Sequence, residues 1–261
     1  MPNLCSVVFP RFWKIIIASL FISIAIASVA IIHRSREPVW AGKPISAWCS
    51  QYADLNQDRS DAAKSQLQGI GKAAIPFLVK QLQDNPRSAP FDSQKSVSDS
   101  RSEAVLVFRL LGTNAESAIP TLSNMLTNSI SATNLDSAIA VAESLASTGP
   151  ASKPLLLAAL SNPSRNIRFA ALAAFGDFGT EAKAALPIIE ARLNDSDGEI
   201  RSLALYFSVR FCDSREKQRE LLLGAQKDVD SRVRSFAIGE LNRMDHEAEG
   251  RSPENAPLRR D

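Results

Sequence analysis

From Ile167 to Pro187 the chain reads IRFAALAAFGDFGTEAKAALP, and three features of this stretch decide the fold. Ala171 and Phe175 stand four apart, a small and a large apolar residue on one face of a helix. Gly179 supplies a stop, because glycine takes the left-handed conformation that closes a helix at no steric cost. Pro187 supplies a start, because the first amides of a helix have no intrahelical acceptor to lose. The expected order is helix, glycine, turn, proline, helix.

That order recurs outward in both directions. Aligning the second helix of each unit on Ser60, Arg101, Ala138, Arg168, Arg201 and Arg234 gives intervals of 41, 37, 30, 33 and 33 residues. Three positions on stand Ala63, Ala104, Val141, Ala171, Ala204 and Ala237, and seven on stand Leu67, Phe108, Leu145, Phe175, Ser208 and Leu241. A small column beside a large one lets a helix press against its neighbour and fill the space alongside. Eleven on come Gly71, Gly112, Gly149 and Gly179, with Cys212 and Asp245 where the pattern decays. The prolines of the next starts are Pro76, Pro120, Pro154 and Pro187, with Glu220 in that place in the last unit. Leu78, Leu122, Leu156, Ile189 and Leu222 follow two positions later and continue the apolar face. Ile45, Trp48, Tyr52 and Leu55 read as the first helix of an opening pair, which makes six pairs.

The runs Gly112–Pro120, Gly179–Pro187 and Ile167–Phe175 resemble HEAT repeats of the short bacterial type grouped with phycobilisome-lyase-like repeats. The resemblance covers residues 44–244. It implies an all-α solenoid of about six antiparallel helix pairs, whose second helices line a concave side offered to protein partners. It also brings a rival expectation, a bilin-lyase-like or other small-ligand-handling protein. Gly42 to Trp48 resembles a lead-in found before such repeats in membrane-anchored bacterial proteins.

From Ile15 to Ile32 the chain runs through IIIASLFISIAIASVAII without a charge, between Lys14 and His33-Arg34. At about 1.5 Å per residue this stretch covers roughly 27 Å, close to the hydrocarbon thickness of a bilayer. A cleaved signal peptide competes, since Ser28-Val29-Ala30 has the small-x-small form of a cleavage site. Two isoleucines after that cut favour an uncleaved transmembrane anchor. The positive-inside comparison nearly ties, and the short amino-terminal tail favours a signal-anchor with the repeats on the extracytoplasmic side. The expected organisation is a tail 1–14, an anchor 15–32, a juxtamembrane linker 33–43, the array 44–244 with a polar insert loop 84–99, and a disordered tail 245–261.

Charge and residue types narrow the function. Residues 1–43 carry Arg11, Lys14, Arg34, Arg36 and Lys43 against Glu37, so a net charge of +2 leaves the rest of the chain at −2. A nucleic-acid binder would show a basic excess on its folded part, which makes a nucleic-acid-binding solenoid an unfavoured reading. With His33 and His246 the only histidines, and Cys5, Cys49 and Cys212 far apart, no metal site, cofactor or catalytic triad is expected. The sequence reads as a non-enzyme, with protein partners, a membrane contact through 15–32, and no cofactor. The paired aspartates at helix starts read as caps. The polar feature of note is the column Arg101, Arg168, Arg201 and Arg234. It reads as a structural ladder onto acidic loop residues such as Asp99, Asp195, Asp197 and Asp230, with an anion or acidic-peptide contact as the alternative.

Overall fold

A computed structural model describes residues 38–83 and 97–248. The chain divides into compact units Met1–Ser46 and Ala47–Asp261. The described part of the first is a two-stranded ribbon, β1 (Val39–Trp40) against β2 (Lys43–Pro44), leading into the first turn of α1. Ala41 and Gly42 both have positive φ, which gives the two-residue turn whose twist suits an antiparallel hairpin. The ribbon corrects the expected linker 33–43, whose last residues are paired strand.

The second unit is helical throughout. Six pairs are present among the described residues: α1 (Ile45–Tyr52) with α2 (Gln57–Ile70), α3 (Ile75–Gln83) with α4 (Val97–Leu111), and α5 (Ile119–Thr127) with α7 (Leu135–Ser147). A short α6 (Ser129–Thr133) lies between α5 and α7. The series continues with α8 (Lys153–Ala159) and α9 (Arg165–Ala174), α10 (Leu186–Glu190) and α11 (Gly198–Phe211), and α12 (Arg215–Ala225) and α13 (Ser231–Ala248). Packing from one pair to the next runs mainly through the second helices, α2 on α4, α4 on α7, α7 on α9, α9 on α11 and α11 on α13. Each pair thus finds its core against its neighbours, as in a solenoid.

The two helical columns are the core. Every residue from Ala63 to Ala237 in the small column is buried, and so is every residue from Leu67 to Leu241 in the large one. Where the large column holds Ser208, the rings of Phe207 and Phe211 stack beside it with centroids 5.5 Å apart. Gly176 of the preceding pair faces Phe207, whose ring would be in ordinary contact, at 3.6 Å, with a Cβ there. Overpacking the small column is therefore costly: Ala171→Leu should lower stability by about 1–3 kcal/mol. Asp177→Ala, which removes only an exposed ion pair, should cost about 1 kcal/mol or less. Urea denaturation of the two variants checks the difference.

Several details differ from the expectations. The glycines take positive φ, but Gly71 and Gly179 have ψ near −129° and −128°, outside the left-handed helical well. The chain leaves each of them through a 3₁₀ turn rather than a simple cap, and the prolines then occupy the second position of α3, α5, α8 and α10. The interval of 37 residues is explained by α6, one extra helical turn fastened by a Ser131 hydroxyl donating to the Met125 carbonyl at 2.7 Å. Leu55 lies beyond the end of α1 and is fully exposed rather than part of its apolar face. Helix α4 begins at Val97, inside the expected loop 84–99, and α13 runs to Ala248, inside the expected disordered tail.

The anchor 15–32, the tail 1–14, the loop residues 84–96 and the tail beyond residue 248 lie outside the described residues. Among the described residues no helix is long and apolar enough to cross a membrane.

Candidate functional site on the second-helix row

The loops that enter the second helices are built alike. Six residues before the aligned start stand Asp54, Asn162, Asp195 and Asp228, and each side chain accepts the amide of the residue two positions on, at 2.8–3.1 Å. This is an Asx turn, in which a short carboxylate or amide holds its own backbone. Two residues later, Asn56, Asn134 and Asp197 cap α2, α7 and α11 by accepting first-turn amides.

The arginine column reads across from one loop to the next. Arg168 donates from Nε and Nη2 to the two carboxylate oxygens of Asp195, both at 2.9 Å, and from Nη1 to the carbonyls of Asn162 and Pro163. Arg201 repeats this on Asp228 at 2.8 and 2.7 Å, with Nη1 on the carbonyls of Asp195 and Ser196. Arg234 donates from Nη1 to the carbonyls of Asp228 and Val229, both at 2.8 Å. Each arginine thus ties its own loop and, in the first two cases, the carboxylate of the next. Arg101 is buried two units before Arg168, and Ala138 interrupts the column between them. The side chain of Asp99 lies outside the description.

The pairing differs in detail from the sequence expectation. Asp195 is engaged by the arginine of the preceding unit, and Asp228, absent from the expected set, takes Arg201. Asp197 instead receives Arg165 Nε at 3.1 Å, and Asp230 receives Arg232 Nη2 at 2.8 Å. Arg165 and Arg232 also both pair with Glu199, which closes a second chain of alternating charge. Gly198 sits where this loop edge is tightest, since a Cβ there would fall within 2.7 Å of the Asp230 side chain. The signal for Asp228 was present in the sequence, as a carboxylate 33 residues after Asp195.

Titration follows from the geometry. Burial alone would raise the Asp195 carboxyl, but the hydrogen bond from Arg168 and the amide of Asp197 hold it below its ordinary value. Asp228 is lowered chiefly by the hydrogen bond from Arg201, against some burial. A carboxyl depressed in the folded state contributes stability that is complete above its unfolded value, about 3.9, and is lost as pH falls below it. Unfolding free energy should therefore drop as pH falls below about 4. In the double variant Asp195→Asn, Asp228→Asn that drop should be shallower, as read by urea denaturation at stepped pH.

With the loop edge committed to internal bonds, the open side of the second-helix row carries the remaining chemistry. A groove of about 400 Å³ lies between α4 and α7, lined by Ser102, Val105, Leu106, Ile139 and Ala140 with Arg101, Arg109, Asp136 and Glu143 among them. A second, of about 340 Å³, continues past Arg109 to Asp177, Pro150 and Phe178. Arg109 Nη2 bridges Glu143 Oε2 at 3.3 Å and both Asp177 oxygens at 3.1 Å, a trio spaced 34 residues apart that sequence reading did not single out. Burial lifts the Glu143 carboxyl above its ordinary value; Arg109 draws it down and Asp177 pushes it up again. Further along the same row, Arg165 stacks over the Phe169 ring at 5.1 Å, and Tyr206 meets Phe236 edge-on at 6.1 Å. Cys49 and Cys212 are buried and form no disulfide with each other. No cluster of three or more His, Cys, Asp or Glu among the described residues is placed to hold a metal ion.

Repeating loops, nearest-neighbour packing and a shared row of second helices are what a helical repeat array requires. Residues 119–208 match the family model for HEAT repeats. The match runs from α5 into α11 and includes the Arg168–Asp195 tie between consecutive helix pairs. No curated protein matches the chain.

Proposed function

We propose that the chain is a non-catalytic scaffold, held to a membrane by residues 15–32 with its HEAT repeats on the extracytoplasmic side, that binds a protein partner across the second-helix row. The observation that carries this reading is a division of labour between two surfaces. The loop edge engages its arginines and aspartates in internal bonds, whereas the row keeps Phe169 and Tyr206 partly exposed, and Leu106 and Ile139 partly exposed in the wall of a groove. Those grooves are open clefts, which suits a protein segment better than an enclosed chromophore. The carboxylates of Asp195, Asp197, Asp228 and Asp230 have turns, caps and ion pairs as their tasks, which favours a scaffold over an enzyme. From repeat fold to binding role the argument is one of analogy, because solenoids expose long surfaces and binding is the usual use of them.

The test uses the full chain in cells. Mild crosslinking should capture one dominant protein, Ile139→Asp should abolish the capture, and protease added to intact cells should cut the repeats. Capture unchanged by Ile139→Asp would overturn the assigned surface, and repeats protected until lysis would overturn the orientation.

A further inference from the structure

The arginine ladder on the loop edge has one open end. Arg168 and Arg201 each hold two carbonyls of their own loop through Nη1 and the carboxylate of the next loop through Nε and Nη2, and in both cases that carboxylate stands 27 residues further on. Arg234 makes the same two bonds from Nη1, to the carbonyls of Asp228 and Val229. Its Nε and Nη2 meet no carboxylate among the described residues, where α13 is followed by no further helix pair. The carboxylates of that edge are taken: Asp228 by Arg201, and Asp230 and Glu199 by Arg232. The last rung thus has its cation and lacks its anion.

We propose that the chain's own segment 249–261, which lies outside the described residues, returns along the last pair, and that the Asp261 carboxylate closes the ladder on Arg234. Asp261 stands 27 residues after Arg234, the interval of the two closed rungs. The same register puts Pro253 nineteen residues after Arg234, as Pro120 and Pro187 follow Arg101 and Arg168 by nineteen. The apolar column does not continue: Asn255 and Arg259 stand where Ile189 and Leu193 stand after Arg168, so the segment brings a carboxylate and not another packed helix pair. A basic residue directly before the carboxylate does not prevent a rung, since Lys227 stands there before Asp228 as Arg260 does before Asp261. The length suffices as well. From Arg234 to Ala248 helix α13 rises about 21 Å, and the thirteen residues that follow span up to about 45 Å when extended. A forked guanidinium with two open donors is the group best matched to a carboxylate, and the end unit of a repeat array needs polar cover on its open side.

The inference is independent of which surface meets a partner protein. To test it, the full chain in detergent is treated with trypsin, and the cut after Arg251 is followed by mass spectrometry. A segment held at Arg234 is cut only when it lets go, so the rate reads the released population. Asp261→Asn, which leaves every described helix untouched, should speed the cut about threefold or more, in line with the worth of one ion pair. Arg234→Gln should do the same, and the double variant should be cut no faster than either single one. Glu254→Gln, which removes a charge from the same segment outside the 27-residue register, should leave the rate unchanged. If Arg234→Gln loses helicity by circular dichroism, the comparison of Asp261→Asn with Glu254→Gln decides alone. Equal rates in the wild type and Asp261→Asn, an equal gain from Glu254→Gln, or multiplied gains in a folded double variant would overturn the proposal. So would protection that rises with chain concentration, since Arg234 would then be taken by a second copy.

Discussion

Truncating Phe175 to alanine is expected to lower the unfolding free energy by about 3–5 kcal/mol, the range for removing a large ring from a closed core. Phe175 is fully buried at the end of α9, where the helix gives way to the turn through Gly179, and its ring lies 5.6 Å from that of Phe178. It has the large position of its column while Ala171, one turn earlier, has the small one. Neither the preceding nor the following pair can move in to fill the space without disturbing its own columns. A stack held by nearest-neighbour contacts should also lose cooperativity when a middle unit weakens. The variant's urea transition should accordingly be broader as well as earlier. A loss under about 1 kcal/mol would mean that Phe175 is not a core residue and that the alignment of the columns is wrong.

Replacing Asp195 by alanine is the second large effect, a loss of about 3 kcal/mol. The Asp195 carboxylate is nearly inaccessible, at 3% side-chain exposure, and its partner Arg168 is at 11%. Removing it leaves a buried guanidinium without its bidentate acceptor and removes the acceptor of the Asp197 amide, so the turn into α11 loosens at the same time. Restoring charge alone should not rescue the loss, because Glu at the same site places its carboxylate one methylene too far to close the Asx turn. Arg168→Met, which removes the charge along with its partner in an Asp195→Asn background, should recover part of it. Urea denaturation of the three variants at pH 7 reads the comparison, and an Asp195→Ala loss below about 1 kcal/mol would show the tie to be ornamental.

Much of the architecture is written in local chemistry and so could be read from the chain. The i and i+4 columns, the glycine stops and the proline starts each act within a few residues, and the structure places them as a helix with that pattern must. What escaped reading depended on neighbours or on backbone detail. Leu55 continues an apolar spacing but falls after the helix has ended, and spacing alone carries no record of where a helix stops. The hairpin at Val39 to Pro44 is six residues long and needs positive φ at Ala41, a conformation its side chain does not favour. The ladder's ion pairs join residues 27 apart in neighbouring units, so the carboxylate that takes Arg201 is that of Asp228 and not of Asp195 or Asp197 just before it in sequence. The Arg109 trio spans three successive units for the same reason, and only the stacked row brings it together.

The central claim is that the second-helix row, and not the first-helix side, meets a protein. A photo-crosslinking amino acid placed singly at Ile139, Phe169 and Tyr206, and for comparison at Leu155, Ile188 and Leu223 on α8, α10 and α12, tests it in the full chain in cells. The account predicts a discrete adduct of one size from the first three sites and none from the second three. Adducts from Leu155, Ile188 and Leu223 with nothing from Ile139, Phe169 and Tyr206 would contradict it.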